Sequence, residues 1–208
     1  MDVYTALLSV STCGDHFMDI GIISDIHTNV AGLEKAFSLA PQVDEWICLG
    51  DIINQFSFSN DVVALIQSRC TYTILGNHEQ IFFSPAGERA RASPRIDPKL
   101  MHWLGQQPHE RRLTLEGRQL HLVHSTPWPP GGEYVYPHSP AFPRLAQSDT
   151  DAILYGHTHH PVVQDIEGTM IINPGSVGEG RPTDSGYLFS FAVLTLPVLH
   201  CRIIEFRL

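Results

Sequence analysis

Apolar runs alternate with segments of helical periodicity in the first third of the chain, and this order limits the folds open to it. The predicted elements are a strand at 19–24, a helix at 30–40, a strand at 46–49, a helix at 61–68 and a strand at 72–75. Asn29 precedes the first helix as a candidate N-cap, and Pro41 marks its end. A strand–helix order of this kind favours a parallel sheet covered by helices.

The second half is richer in strands. A loop at 84–98 with one short helical turn and a helix from Asp97 to about residue 107 precede a hairpin at 112–124, and a proline-rich loop follows at 126–143. Further strands are predicted at 152–155, 162–165, 170–172, 187–196 and 198–206. We therefore expect an α/β fold of two packed mixed β-sheets flanked by helices.

Length and charge restrict the class of protein. With 208 residues, 43% of them hydrophobic, the chain suits one domain, which we place at 18–208 after a loose N-terminal extension at 1–17. The net charge of −9 argues against an extended nucleic-acid surface, because such surfaces need clustered Lys and Arg. A small phosphorylated substrate stays open, because bound divalent cations would reverse the local field.

Cysteine spacing and the N-terminus indicate a cytoplasmic protein without a membrane partner. The four cysteines form no Cys-x-x-Cys pair, which favours free thiols in a reducing compartment. No apolar run approaches the roughly 20 residues that span a bilayer. No Lys or Arg precedes Lys35, so a secretory signal lacks its basic start. A lipid-anchored enzyme is a weaker alternative, based on the resemblance of residues 10–13 to a lipoprotein cleavage box.

Metal-binding side chains cluster at the ends of the apolar runs. They stand in Asp25-Ile26-His27, Gly50-Asp51, Gly76-Asn77-His78-Glu79 and Gly156-His157-Thr158-His159, with His124 after a further run. Open α/β sheets gather ligand-binding groups at the carboxyl ends of their strands. Side chains two residues apart in an extended segment point the same way, so Asp25 and His27 are expected to converge, as are His157 and His159. Oxygen and nitrogen donors without a thiolate predict a site for two divalent cations.

Two neighbouring residues are given simpler roles. His121 lies three residues before His124 on one strand, so the two should face opposite sides, and we assign His121 to the surface. Glu79 is expected to begin a helix, where a carboxylate near the N-terminus is favoured.

In this order the motifs resemble those of the calcineurin-like metallophosphoesterase superfamily. A later segment, Asn173-Pro174-Gly175-Ser176-Val177-Gly178, resembles the YfcE-like branch of small phosphodiesterases. The resemblance extends over about residues 18–195, and five motifs in one order are far more specific than any one of them. It implies the αββα sandwich of that superfamily.

The resemblance also implies residue roles. One metal would be bound by Asp25, His27 and His159, the other by Asn77, His124 and His157, with Asp51 bridging both. His78, beside the ligands, would stabilise transition-state charge or protonate the leaving oxygen, with Asp25 as a partner that orients it. Asn77 and His78 would contact the substrate.

The implied activity is hydrolysis of a small phosphodiester by a metal-bridging hydroxide. Imidazole and carboxylate ligands suit Mn²⁺, Fe²⁺ or Zn²⁺, and Ni²⁺ and Mg²⁺ are further candidates. The alternatives are a phosphomonoesterase or nucleotide phosphatase, and a non-catalytic protein-interaction scaffold of the same fold. A homo-oligomer is left open.

Three departures from related proteins bear on the substrate. Residues 52–56 replace the Asp-Arg-Gly segment of protein phosphatases, whose arginine grips a phosphomonoester, and they lack the glycine- and proline-bearing loop usual in the YfcE-like branch. The absence of the Asp-Arg-Gly segment disfavours a protein phosphatase or a diadenosine-tetraphosphate hydrolase. His124-Ser125 stands in place of the branch's common His-Gly. Aromatic residues near the motifs offer stacking surfaces for a base or aryl group: Phe56, Phe58, Phe82, Phe83, Trp128, Tyr134 and Tyr136. For Phe82 and Phe83, core packing is preferred.

Overall fold

The computed structural model describes residues 17–40, 42–129 and 131–208. Nearly all of the predicted N-terminal extension lies outside these residues, so that prediction is not tested. The first part contains β1 (Met18–Ile23), α1 (Val30–Leu39), β2 (Glu45–Cys48), α2 (Asn60–Arg69), β3 (Tyr72–Thr73), α3 (Asn77–Phe83), α4 (Glu88–Arg91) and α5 (Pro98–Gly105). The second contains β4 (Glu110–Leu115), β5 (Arg118–Val123), β6 (Ala152–Leu154), β7 (Val162–Ile166), β8 (Thr169–Asn173), β9 (Arg181–Thr183), β10 (Gly186–Leu196) and β11 (His200–Phe206).

The first sheet combines both halves of the chain. Its strand order is β11-β10-β1-β2-β3, with β9 paired to β10. Strands β1, β2 and β3 are parallel, as the strand–helix order predicted, and the C-terminal hairpin adds β10 antiparallel to β1. Asn29 caps α1 by accepting a hydrogen bond from the Gly32 N–H at 2.9 Å, which confirms that helix start.

The second sheet has the order β4-β5-β6-β8-β7 and is also mixed. The predicted hairpin is β4 and β5, and it turns at Glu116 and Gly117, which both have positive φ. A 3₁₀ helix at Phe142–Ser148, absent from the prediction, begins at the end of the predicted loop at 126–143. Local sequence did not reveal this helix, because it depends on burial of Phe142 and Leu145 against the second sheet.

Alternation along β1 shows how the layers pack. Ile20 and Ile22 join a buried cluster with Leu122 and Leu154 of the second sheet, so this cluster lies between the two sheets. Ile23 points the other way, into a cluster with Leu33 of α1 and other helix residues. Two mixed sheets with flanking helices are therefore the observed fold, as predicted.

Within the described ranges, no helix has both the length and the apolar character needed to cross a membrane. Cys48, Cys70 and Cys201 are free thiols, in agreement with the cysteine spacing.

Candidate metal centre

The predicted ligands follow strand ends and lie close together. Asp25 comes after β1, Asp51 after β2, Asn77 after β3, His124 after β5 and His157 after β6. The two sheets therefore contribute to one site. Its deepest members are almost fully buried, and Asp25 has no exposed surface.

The first cluster consists of Asp25, His27 and His159, whose candidate ligand atoms lie within 4.8 Å of one another. Asp25 Oδ1 is 3.3 Å from His159 Nε2 and 3.9 Å from His27 Nε2. The two imidazole Nε2 atoms are 3.2 Å apart. Three donors from two distant segments of the chain thus face a common point.

The second cluster consists of Asp51, His124 and His157, again within 4.8 Å. Asp51 Oδ2 is 3.2 Å from His124 Nε2, and that nitrogen is 3.0 Å from Asn77 Oδ1. The amide oxygen of Asn77 therefore lies beside this cluster. His124 Nδ1 is 2.7 Å from the Leu49 carbonyl oxygen, which orients the ring with Nε2 towards Asp51.

Asp51 lies between the clusters. Its Oδ2 is 3.9 Å from His27 Nε2, on the side of the first cluster, and 3.2 Å from His124 Nε2 in the second. This carboxylate is in position to contact a metal ion bound by either cluster.

The backbone at these residues is unusual, and it corrects one part of the sequence argument. Asp25, His27, Asp51, His157 and His159 all have φ between 47° and 66°. Such left-handed backbone is uncommon for side chains other than glycine, and it persists where surrounding contacts enforce it. Asp25 and His27 converge through this turn and not through extended backbone. His157 and His159 do not converge, because each belongs to a different cluster.

Glu79 has a larger part in the site than its helix position predicted. It stands in the first turn of α3, but its carboxylate is fully buried. Its Oε2 accepts hydrogen bonds from the Asp51 N–H at 2.9 Å and the Gly76 N–H at 2.7 Å, and Oε1 accepts one from the Ile53 N–H at 2.9 Å. Burial raises the pKa of Glu79 to about 7, against the opposing effect of these backbone bonds. Glu79 thus holds the loop that carries Asp51.

A close approach of two glycines brings this loop against α3. Gly50 has a φ of +94°, and a Cβ there would lie 2.5 Å from the Gly76 nitrogen. A Cβ at Gly76 would lie 2.1 Å from Asp51 Oδ1. A larger residue at Gly50 would collide with the backbone of Gly76, and one at Gly76 would displace the Asp51 carboxylate.

His78 is more open than the buried ligand candidates, with a quarter of its side chain exposed. Its backbone N–H donates to Asp51 Oδ1 at 2.9 Å, and its Nε2 is 3.9 Å from Asp51 Oδ2. Its ring packs edge-on against His27, with centroids 4.6 Å apart. The carboxylate beside His78 is therefore Asp51, and not Asp25 as predicted.

His121 is buried, so its assignment to the surface was wrong. Its Nδ1 is 2.6 Å from Ser148 Oγ, because the 3₁₀ helix at Phe142–Ser148 covers this side of β5. Its Nε2 is 3.1 Å from Glu110 Oε1. His121 is part of none of the metal-binding clusters found among the described residues.

Side chains of the segment at 173–178 hydrogen-bond to the backbone of the site, a role that the motif alone did not reveal. The Asn173 side-chain amide donates to the Gly156 carbonyl oxygen at 2.7 Å. The Ser176 hydroxyl donates to the Asp25 carbonyl oxygen at 2.7 Å. These bonds connect the segment to the turns that carry His157 and Asp25.

The carboxylates and imidazoles of the site shift one another's pKa values. Burial favours the neutral form of Asp51, but His124 and His78 outweigh it and hold the pKa of Asp51 well below its usual range. Burial likewise favours neutral His124, but Asp51 and Asp25 raise the pKa of His124 to about 9. Burial lowers the pKa of His27 and of His157, which keeps their nitrogen lone pairs available.

The donor set fits divalent cations. Asp25 Oδ1 is buried and has no hydrogen-bond partner among the described residues, although imidazole nitrogens surround it. Buried polar atoms are normally paired, so an unpaired carboxylate oxygen facing imidazoles suits a metal ligand. Carboxylate, amide and imidazole donors without a thiolate suit Mn²⁺, Fe²⁺ or Zn²⁺.

The candidate stacking residues separate into different environments. Phe82 is fully buried, and Phe58 and Phe83 pack against the same core, which confirms the core assignment of Phe82 and Phe83. Tyr134 is exposed and stacks on His157, with ring centroids 4.0 Å apart. The remaining three, Phe56, Trp128 and Tyr136, are at least partly exposed.

Comparison with known proteins agrees with this geometry. The profile of the calcineurin-like phosphoesterase superfamily domain matches residues 18–197. The protein named phosphodiesterase YfcE from Escherichia coli strain K12 is 27% identical over 176 residues, which are 82% of this chain and 87% of that protein. A crystal structure of a metallophosphoesterase from Sphaerobacter thermophilus is 26% identical, with a TM-score of 0.71 over 92% of this chain and 89% of that one.

A more distant neighbour shares the fold alone. Vacuolar protein sorting 29 from Cryptosporidium parvum is 16% identical, with a TM-score of 0.57 over 92% of this chain and 98% of its own. The family profile spans most of the chain, and the resemblance predicted from the motifs is confirmed. The chain belongs to the calcineurin-like phosphoesterase superfamily.

Proposed function

We propose that this protein is a phosphodiesterase that hydrolyses a small phosphoester with two divalent metal ions. Asp25, His27 and His159 would bind one ion, Asn77, His124 and His157 the other, and Asp51 both. The observation that carries the proposal is the position of the Asp51 carboxylate between the two clusters, within 3.9 Å of an imidazole nitrogen in each.

When bound, two such ions lower the pKa of a water and neutralise charge on the phosphoryl oxygens. The protein's own groups provide the rest. The buried carboxylates of the site would hold the metal ions in position. Glu79 keeps Asp51 in place by accepting a hydrogen bond from the Asp51 backbone N–H. His78, partly exposed and beside Asp51, is positioned to donate a proton to the leaving oxygen or to stabilise charge there.

Two observations favour a diester over a monoester. The Escherichia coli protein that is 27% identical to this chain is named a phosphodiesterase. Among the described residues that line the cleft beside Asn77 and His124, there is neither Lys nor Arg. A phosphomonoester carries more charge than a diester, and this cleft offers no side-chain cation, apart from its histidines, to balance the excess.

The direct test is turnover after metal exchange. Protein stripped with a chelator is reloaded with Mn²⁺, Fe²⁺, Zn²⁺, Ni²⁺ or Mg²⁺ and assayed on bis(p-nitrophenyl) phosphate and p-nitrophenyl phosphate. We expect the metal-free protein to be inactive, the reloaded protein to prefer the diester, and Asp51→Asn to lose most hydrolysis with its fold intact. Full activity in protein that elemental analysis shows to be metal-free would refute the proposal.

A protein-interaction scaffold is the second candidate, because vacuolar protein sorting 29 shares the fold. Proteins of one fold often differ in function, so the site must decide. The complete set of donors and the presence of His78 favour the enzyme. Wild-type protein that binds two ions per chain but hydrolyses neither ester would favour the scaffold.

A further inference from the structure

A cleft of about 300 Å³ opens beside Asn77 and His124. The segments at 125–129 and 131–132 form one wall, and Gln80, His109 and Glu110 also line the cleft. A substrate whose phosphate lies at the candidate metal centre would have room for one of its ester groups here.

Trp128 lies in the cleft wall with its orientation fixed. The Arg144 guanidinium carbon is 4.4 Å from the centroid of the Trp128 ring. The indole Nε1–H donates to Glu133 Oε2 at 3.1 Å. Both contacts restrict rotation of the side chain, so a ligand that stacks on this ring would not have to order it first.

Trp128 lines two cavities, most of whose other residues differ. Trp128 also lines a second cavity of about 250 Å³, with Arg112, His121 and Arg144 among its other residues. Arg144 lines the second cavity but not the cleft, whereas Trp128 lines both.

The charge of the cleft indicates what the ring would bind. Glu110 and the histidines are the ionisable side chains lining it among the described residues. Arg112 belongs to the second cavity, where it donates to the Ser148 carbonyl oxygen at 3.1 Å. A second phosphate would find no Lys or Arg in the cleft, whereas an uncharged planar group would have a pre-oriented indole.

We propose that Trp128 forms a stacking subsite for a planar aromatic ester group, either a nucleobase or an aryl ring, in the phosphodiester substrate. The inference rests on the proposed function, because it places the phosphate at the two-metal site. Stacking on an aromatic side chain strengthens the binding of a base by about 5-fold to about 150-fold.

The test compares two ligands with the same acid group, one on a flat aromatic ring and one on a puckered saturated ring. Benzylphosphonate and cyclohexylmethylphosphonate carry the same phosphonate on six-membered rings, and neither has an ester bond to hydrolyse. Their binding to the Mn²⁺-loaded protein is measured by calorimetry. We expect the wild type to bind benzylphosphonate at least about fivefold more tightly.

Three variants identify the residue responsible. Trp128→Leu keeps an apolar side chain without a flat ring and should lose the preference, whereas Trp128→Phe should retain it. Tyr187→Leu, an exposed aromatic residue on β10 and outside the cleft, should behave as the wild type. Equal affinity of the wild type for both ligands, or an unchanged preference in folded Trp128→Leu, would overturn the subsite.

Hydrolysis of bis(p-nitrophenyl) phosphate is measured in parallel, so the two proposals fail separately. A wild type that binds benzylphosphonate preferentially without turnover would support the subsite and contradict the proposed activity. A wild type that hydrolyses the diester but binds both phosphonates equally would support the proposed activity and contradict the subsite.

Discussion

His157 Nε2 lies 3.1 Å from the carbonyl oxygen of Gly132, so a loop residue orients a ring of the candidate metal centre. A carbonyl oxygen can only accept a hydrogen bond, so in this contact Nε2 carries the hydrogen and Nδ1 keeps the lone pair for a metal. The Gly132 N–H in turn donates to Ser125 Oγ at 2.7 Å. Ser125 stands where related sequences commonly have glycine, and this structure gives its hydroxyl a specific contact.

Ser125→Ala should weaken metal binding at the cluster of Asp51, His124 and His157. The change leaves Gly132 without its hydroxyl partner and so loosens the carbonyl that orients His157. Loss of a group that hydrogen-bonds directly to a ligand typically costs about 10–100-fold in metal affinity, and Ser125 acts one bond further out, so we expect about tenfold or less. Calorimetric titration with Mn²⁺ measures the effect. Ser125→Thr keeps a hydroxyl and is the control; identical Mn²⁺ affinities in Ser125→Ala and the wild type would contradict the role.

Glu79→Gln should destabilise the protein and reduce turnover. Three backbone N–H groups donate to the Glu79 carboxylate, and a glutamine would turn its own NH₂ towards at least one of them. An unsatisfied buried donor costs about 1–3 kcal/mol. Urea unfolding of chelator-treated protein measures that loss. Glu88→Gln makes the same chemical change at an exposed position of α4 and should cost little. Equal stability of the two variants would remove Glu79 from its structural role.

Metal uptake should depend on pH through His124. In the metal-free protein the pKa of His124 is raised from 6.5 to about 9, chiefly by Asp51 against the effect of burial, so the ring is protonated at pH 7. A metal must displace this proton, so Mn²⁺ affinity should rise by up to about tenfold per pH unit from pH 7 to about 9 and then level off. Calorimetry in buffers of different ionisation enthalpy measures the protons released. His124→Asn cannot titrate and should show a flatter slope.

The same protonation predicts the sign of the stability change. Because the folded pKa of His124 is above its ordinary value, its contribution is complete below pH 6.5 and is lost as the pH rises through about 9. The pKa of Glu79, raised from 4.5 to about 7, acts in the same direction at lower pH. Burial lowers the pKa of His27 and His157, whose contributions act in the opposite direction near pH 6.5, so the urea midpoint of metal-free protein should fall between about pH 7 and pH 9. A midpoint that rises over this range would contradict the raised pKa of His124.

The parallel pairing of the first three strands, the β4–β5 hairpin and the position of the donors could be predicted because they depend on local periodicity and motif order. The positive φ of Asp25 and His27 could not, since no periodicity encodes a left-handed turn that distant backbone enforces. Glu79 receives donors from Asp51 and Ile53, more than twenty residues earlier, so its role needed the folded loop.

The burial of His121 depends on a 3₁₀ helix that starts twenty-one residues later and packs on β5. Alternation along the strand separated His121 from His124, but it did not indicate that the far side of the sheet would also be covered. The error came from missing that helix, whose apolar residues are few and lie near prolines.

His78→Ala should abolish most hydrolysis while metal binding and stability stay close to those of the wild type. The side chain is a quarter exposed, and its contact with Asp51 Oδ1 comes from the backbone N–H, which alanine retains. General acid catalysis typically contributes about 10²–10⁴-fold, so kcat should fall within that range. His138→Ala, a change of an exposed histidine in the loop, is the matched control.

Leaving groups of different basicity separate the two chemical roles of His78. A proton donor matters more for an alkoxide than for p-nitrophenolate, so as an acid His78 should cause a larger loss on an alkyl ester than on bis(p-nitrophenyl) phosphate. Stabilisation of charge on the phosphoryl oxygens instead predicts similar losses on both esters. Wild-type kcat on both esters in His78→Ala, with two metal ions bound per chain, would exclude His78 from catalysis and leave the metal centre as the whole of the machinery.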